Sequence, residues 1–189
     1  MDFQERGALS PLAYVPFTAE TARLELEVLT PEHAPRLIAG LADPSLYAWL
    51  DWTTPDLESL TRRFESICRR PAPEGQLWLN WALRRQDNGR YAGLAEATVY
   101  PNREANLAYF VFASEQRQGF AVEATAAVIA HLRRDYGVHT FLIAADIRNV
   151  ASHRVAERLG LERVGGPQPA GTLRGEPAFD YCYRLVEMP

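Results

Sequence analysis

The chain contains no lysine. All 20 of its basic residues are arginines, set against 24 acidic residues for a formal net charge of −4. A net acidic chain is not expected to track nucleic-acid phosphates, although pairs such as Arg62-Arg63, Arg69-Arg70 and Arg133-Arg134 can hold an anion locally. Cysteine is scarce too. Cys68 and Cys182 stand far apart, and with His33, His131, His139 and His153 they form no ligand-like spacing, so neither a disulfide framework nor a metal site is expected. No apolar run approaches the ~18 residues of a membrane span. The first 20 residues, with Asp2, Glu5 and Arg6 among Pro11 and Pro16, lack the apolar core of a signal peptide. These absences lead to the expectation of a cytoplasmic protein that engages neither membrane nor nucleic acid. The abundance of arginine and alanine attributes the missing lysines to codon composition more than to function.

What is present is an ordinary globular composition, 47% hydrophobic over 189 residues, enough for one domain with a sizeable core. Residues 1–20 read as an irregular lead and 21–189 as the domain. Arg23 to Leu29 alternates apolar and charged residues and predicts a strand. Thr30-Pro31-Glu32 then starts a helix reaching about Ala42, with a cap, a proline in the first turn and an acid beside it. A second helix restarts at Thr54-Pro55-Asp56, carries Leu57, Leu60, Phe64 and Ile67 at helical spacing, and ends at Pro71 to Gly75. Leu77 to Arg85, Tyr91 to Tyr100 and Ala105 to Phe112 read as three successive antiparallel strands, the first two joined by an Asn-Gly turn. Gly119 to Tyr136 is a long helix closed by Gly137, His139 to Ile147 a strand, and Asn149 to Leu159 a helix closed by Gly160. Leu161 to Val164 and Phe179 to Val186 are closing strands. Between them Gly165 to Ala178, rich in glycine and proline, is expected to be an exposed loop, either a lid or a plain connection. The order predicts a mixed α/β (α+β) domain with a central, mainly antiparallel sheet flanked by helices.

Gln116-Arg117-Gln118-Gly119-Phe120-Ala121 lies between a strand and the long helix. Such a loop turns backbone N–H groups toward one point at the positive end of a helix, where Gly119 permits close approach, and phosphate is the natural ligand. It also reads as a plain strand-to-helix connection. It lacks the ending of a nucleotide P-loop and the three glycines of a dinucleotide fingerprint. Downstream, Asn149-Val150-Ala151-Ser152 opens a helix that ends in Leu159-Gly160-Leu161. Together these segments resemble the GNAT superfamily of N-acetyltransferases, most closely its RimJ/RimL branch. Ala108-Tyr109-Phe110-Val111 matches a strand motif of that branch loosely, and Gly119 to Ala124 matches its helix start well.

The resemblance implies acetyl-CoA as the acetyl donor, without a metal. Its pantetheine arm would lie in a splay between two strands on backbone groups of Phe110, Val111 and Phe112. Its pyrophosphate would sit on backbone N–H groups of Arg117, Gln118, Gly119, Phe120 and Ala121, with Gln116 heading the motif. Asn149 would hold the pantetheine end and Ser152 would donate to the departing sulfur; both are also favoured helix-capping residues. Many superfamily members carry a tyrosine general acid where this chain has Ala156. Ser152 then leads as proton donor, with Tyr181, Tyr183 or Cys182 as substitutes.

Direct transfer needs a neutral amine. At pH 7 deprotonation costs about 4.6 kcal/mol for a lysine side chain and about 1–1.4 kcal/mol for an α-amine. Glu96, a lone carboxylate among small apolar neighbours, reads either as a buried base or as a solvated outer-face residue. Trp49 and Trp52, with Tyr47 and Asp51, read either as an aromatic wall for a cationic amine or as packing beneath the second helix. The expected activity is acetyl-CoA-dependent transfer to a primary amine, a protein N-terminus or a small molecule, in a ternary complex. The alternative is an inactive acyl-CoA or peptide sensor of the same fold. Monomer and homodimer both stay open.

Overall fold

The computed structural model describes residues 12–69 and 75–186. Eight strands form one sheet in the order β1-β2-β3-β4-β5-β6-β8-β7. In chain order they are β1 (Ala19–Glu20), β2 (Leu24–Val28), β3 (Leu77–Arg85), β4 (Tyr91–Val99), β5 (Glu104–Val111), β6 (Thr140–Asp146), β7 (Glu162–Leu173) and β8 (Glu176–Val186). Only β5 and β6 run parallel, because α3 (Phe120–Tyr136) carries the chain back over the sheet between them. The other helices are α1 (Ala34–Leu41), α2 (Leu57–Arg69) and α4 (Val150–Arg158).

Alternation along the strands sorts the core into two faces. Leu24, Leu26, Leu79, Trp81, Leu83, Ala95, Ala97 and Val99 pack with Phe120, Ala124, Val128 and Leu132 of α3. On the opposite face Ala82, Leu94 and Phe112 meet Leu37 and Leu41 of α1 and Leu60 and Phe64 of α2. The first helix begins with a single 3-10 turn, Pro31–His33, where the Thr30 N–H donates to His33 Nδ1 at 3.0 Å. A second 3-10 turn, Pro44–Tyr47, precedes α2. Of the expected helix stop at 71–75, residues 71–74 lie outside the described residues.

The expected loop at Gly165 to Ala178 is a correction: it is strand on both sides of a tight turn at Arg174-Gly175. β7 is the edge strand, where glycine and proline remove no ladder bond that a neighbour needs. Its register slips between Val164 and Gln168 and again between Pro169 and Thr172, and Gly165 and Gly171 take positive φ at those slips. The glycines and prolines therefore mark bulges in a long hairpin.

Candidate active site

The sheet opens at its centre. β5 and β6 are paired only from Glu104 to Asn106 against Thr140 to Leu142, and beyond Asn106 the two strands diverge. Leu107 to Val111 of β5 thus keep one edge free of a neighbouring strand. At the far end of that edge β4 bulges. Gly93 has φ +155°, and the Phe112 N–H donates to the Ala92 carbonyl at 2.8 Å. No side chain fits at Gly93, since a Cβ there would lie 1.8 Å from the Phe110 carbonyl oxygen.

The loop expected to hold phosphate sits at the mouth of this split. Arg117 (φ 61°) and Gly119 (φ 86°) are both left-handed, and no described side chain caps α3. The first N–H groups of the helix have no intrahelical acceptor. Side chains behind the loop fix its shape. Arg23 donates to the Gln118 carbonyl at 2.8 Å and to Glu123 at 2.7 Å, with its guanidinium 4.7 Å from the Phe120 ring. Arg85 pairs with Asp87 and with buried Glu115 (2.7 Å), and Gln118 donates to the same Glu115 carboxylate. Burial pushes Glu123 up, but bonds from Thr21 and Arg23 more than offset it and hold the carboxyl below its ordinary value. Gln116 ties the loop to β5 by donating to the Val111 carbonyl at 3.1 Å.

Asn149 and Ser152 lie on the other bank. The Asn149 side chain accepts from the Ser152 N–H at 3.1 Å, so it caps α4. Tyr109 spans the gap, its hydroxyl donating to the Ser152 carbonyl at 3.4 Å, and burial pushes that hydroxyl up to about 12. Ala156 is wholly buried. Tyr181 and Tyr183 pack on His153, on the α4 side of the sheet. Cys182 belongs to the other face, paired in register with Ala144.

Glu96 points to the α1–α2 face, beside a recess of about 160 Å³ lined by Arg63, Ile67, Trp78, Asn80, Ala97 and Thr98. Desolvation raises its carboxyl above the usual range, and Arg63, 3.5 Å away, offsets this only in part. The Trp52 ring is stacked on Phe110 at 6.0 Å and carries the Arg63 guanidinium at 4.8 Å. Trp52 and Trp49 are 49% and 38% exposed, so they wall a surface instead of filling the core beneath α2. They diverge, however. Trp49 lies 4.9 Å from Arg148, which binds Asp146 at 2.6 and 2.7 Å at the end of β6. The segment from Tyr47 to Trp52 therefore reaches both banks of the split. Next to Asp146, Asp180 is raised by burial and by the Asp146 charge.

Gln116 thus ties the loop to Val111 and Tyr109 ties β5 to Ser152 at the start of α4, while Trp52 and Glu96 adjoin β5 through Phe110 and Arg63. Arg23, Arg85 and Asp180 carry no mark in the sequence that singles them out, and Arg63 shows there only as half of the Arg62-Arg63 pair. A chain pattern does not show which arginine meets which acid.

Residues 23–162 match the family model described as an acetyltransferase (GNAT) domain. No curated protein matches the chain. Among solved structures, a RimL ribosomal L7/L12 alpha-N-protein acetyltransferase in complex with coenzyme A superposes with a TM-score of 0.80 at 22% identity, covering 90% of this chain and 98% of its own. The acetyltransferase from Salmonella typhimurium that modifies the N-terminal serine of L7/L12 gives 0.77 at 22%, covering 89% and 97%. The microcin C7 self-immunity acetyltransferase MccE, in complex with acetyl-CoA and AMP, gives 0.77 at 20%, covering 88% and 93%.

Proposed function

The chain belongs to the GNAT acetyltransferase domain family, and we propose that it transfers the acetyl group of acetyl-CoA to a primary amine by direct attack in a ternary complex. The observation that carries this reading is the parting of β5 from β6 beside an uncapped helix N-terminus whose loop has two left-handed residues. Strand edge and loop together offer what a long, amide-rich, doubly phosphorylated chain needs. A free edge can pair with its amides, and converging N–H groups can bind its diphosphate. Of the three expected edge residues Val111 faces the open edge, whereas the Phe110 carbonyl and the Phe112 N–H face β4; Arg117 to Ala121, headed by Gln116, supply the cradle.

The acceptor enters from the α1–α2 face, between Trp52 and Glu96. Glu96 takes the ammonium proton, directly or through water, and the freed nitrogen lone pair forms the new C–N bond at the thioester carbon. The C–S bond breaks with its electrons on sulfur, which takes up the second proton that the nitrogen releases as the amide forms. Ser152 donates a hydrogen bond to that sulfur while Asn149 orients the start of α4 and the end of the donor chain. Tyr109 stays protonated across the physiological range, so it serves as a fixed donor at Ser152 and not as a proton source. The acceptors named for the comparison proteins, a protein N-terminal serine among them, make peptides with a free N-terminus the first acceptors to try, beside small primary amines. The base a lysine side chain would require is about 3 kcal/mol more demanding than the one an α-amine needs.

Release of CoA over a panel of N-terminal peptides and small amines, followed with a thiol reagent and by product mass, tests the reading. Turnover is expected with at least one amine, and Ser152→Ala is expected to lower kcat by about ten- to a hundredfold. Tight acetyl-CoA binding with no acetylated product would favour the sensor alternative; no binding would overturn both.

A further inference from the structure

Several arginines of this protein are engaged by close carboxylates: Arg23 by Glu123, Arg84 by Glu25 and Glu27, Arg85 by Asp87 and Glu115, and Arg148 by Asp146. Arg63 differs. One nitrogen stands 3.5 Å from Glu96, longer than a good charge-assisted bond, and among the described residues its guanidinium donates no hydrogen bond. It is held by a ring, with Trp52 4.8 Å from its guanidinium carbon, while part of its side chain faces solvent beside the recess. A guanidinium fixed on its face and open along its edge keeps donors in the fork geometry that carboxylates and phosphates match.

From this geometry, and resting on the acetyltransferase reading above, we propose that Arg63 binds the acceptor, and that the acceptor is a primary amine bearing a carboxylate or phosphate a few bonds from its nitrogen. The ammonium faces Glu96 and the anion faces the edge of Arg63, so each charge of the ligand meets its opposite in a recess of about 160 Å³. The arrangement also couples binding to proton transfer. Glu96 loses part of its cationic partner when the anion engages Arg63, and its affinity for the ammonium proton rises when that proton must be removed. If Arg63 served only to neutralise Glu96, a close bidentate pair such as that of Arg148 with Asp146 would be the expected geometry.

The test uses matched probes that differ only in the anion: O-phosphoethanolamine against ethanolamine, and a tripeptide amide with aspartate second against its asparagine counterpart. Binding to the full chain saturated with CoA is read beside turnover, so the comparison within each pair stands even where no product forms. The anionic member of at least one pair is expected to bind about tenfold or more tightly. The two pairs distinguish a small amino-phosphate from an acidic peptide N-terminus as the source of the anion. Arg63→Met should erase the preference through KM more than through kcat, and Arg63→Lys should restore part of it. Equal binding within both pairs, binding of neither member, or a preference that persists in Arg63→Met would overturn the inference. Failure of acetyl-CoA itself to bind would instead overturn the acetyltransferase reading.

Discussion

The two sides of the split are built from different materials. The side from β5 through α4 is backbone: a strand edge left bare from Leu107 onward, a loop with two left-handed residues, and the uncapped start of α3. The side under α1 and α2 is side chain: Trp52 from a loop, Arg63 from α2 and Glu96 from β4, the last two lining one recess. A backbone site constrains φ, ψ and room, whereas a side-chain site constrains charge and shape. The first suits a donor common to many enzymes, and the second lets acceptors differ.

This contrast predicts that the donor side breaks by adding atoms and the acceptor side by changing charge. The largest effect is expected at Gly93. A Cβ there would meet the Phe110 carbonyl oxygen at 1.8 Å and would need a left-handed backbone. Gly93→Ala should therefore cost about 3 kcal/mol or more in denaturant unfolding. Glu96→Gln should lower kcat/KM by about a hundredfold and remove the acidic limb of the pH–rate profile, which lies above the ordinary carboxylate range because burial raises this group. The same substitution should stabilise the fold. A carboxyl whose folded value is raised contributes stability below its unfolded value and loses it as pH climbs through the folded one. The melting advantage of Glu96→Gln over wild type should thus grow from acidic to neutral pH. Asn149→Ala removes the cap of α4 and should cost about 1 kcal/mol of stability as well as activity, whereas Ser152→Ala should cost activity alone. Arg23→Ala, which frees the Gln118 carbonyl from behind, should raise the KM for acetyl-CoA about threefold and leave the ratio between acceptors unchanged.

The same contrast explains what could be read in advance. The conformation of the loop proposed for the donor is legible because its needs are local: Gly119 for a left-handed cap with an apolar helix after it, and likewise Asn149 capping α4 three residues before Ser152. β3 was legible to both of its ends because alternation and the Asn-Gly turn fix it. Glu96 was visible as a lone acid, but whether it lay inside or outside depended on α2 covering that face, and the Arg62-Arg63 pair does not show which of the two arginines turns toward it. Trp49 and Trp52 looked alike in sequence and part company in space, one to Arg148 and the other to Phe110. Both ends of the last hairpin read as strand, but Gly165 to Ala178 reads as loop because edge position, not composition, decides whether glycine and proline interrupt a strand.

The dissociation constant of acetyl-CoA, measured by calorimetry on wild type, Gln118→Ala and Gly119→Val, tests the backbone-built donor site most directly. Wild type should bind, Gln118→Ala should bind within about threefold of it, and Gly119→Val, forced out of φ 86°, should bind about tenfold or more weakly. Absence of binding to wild type, or equal affinities for Gly119→Val and Gln118→Ala, would contradict the account.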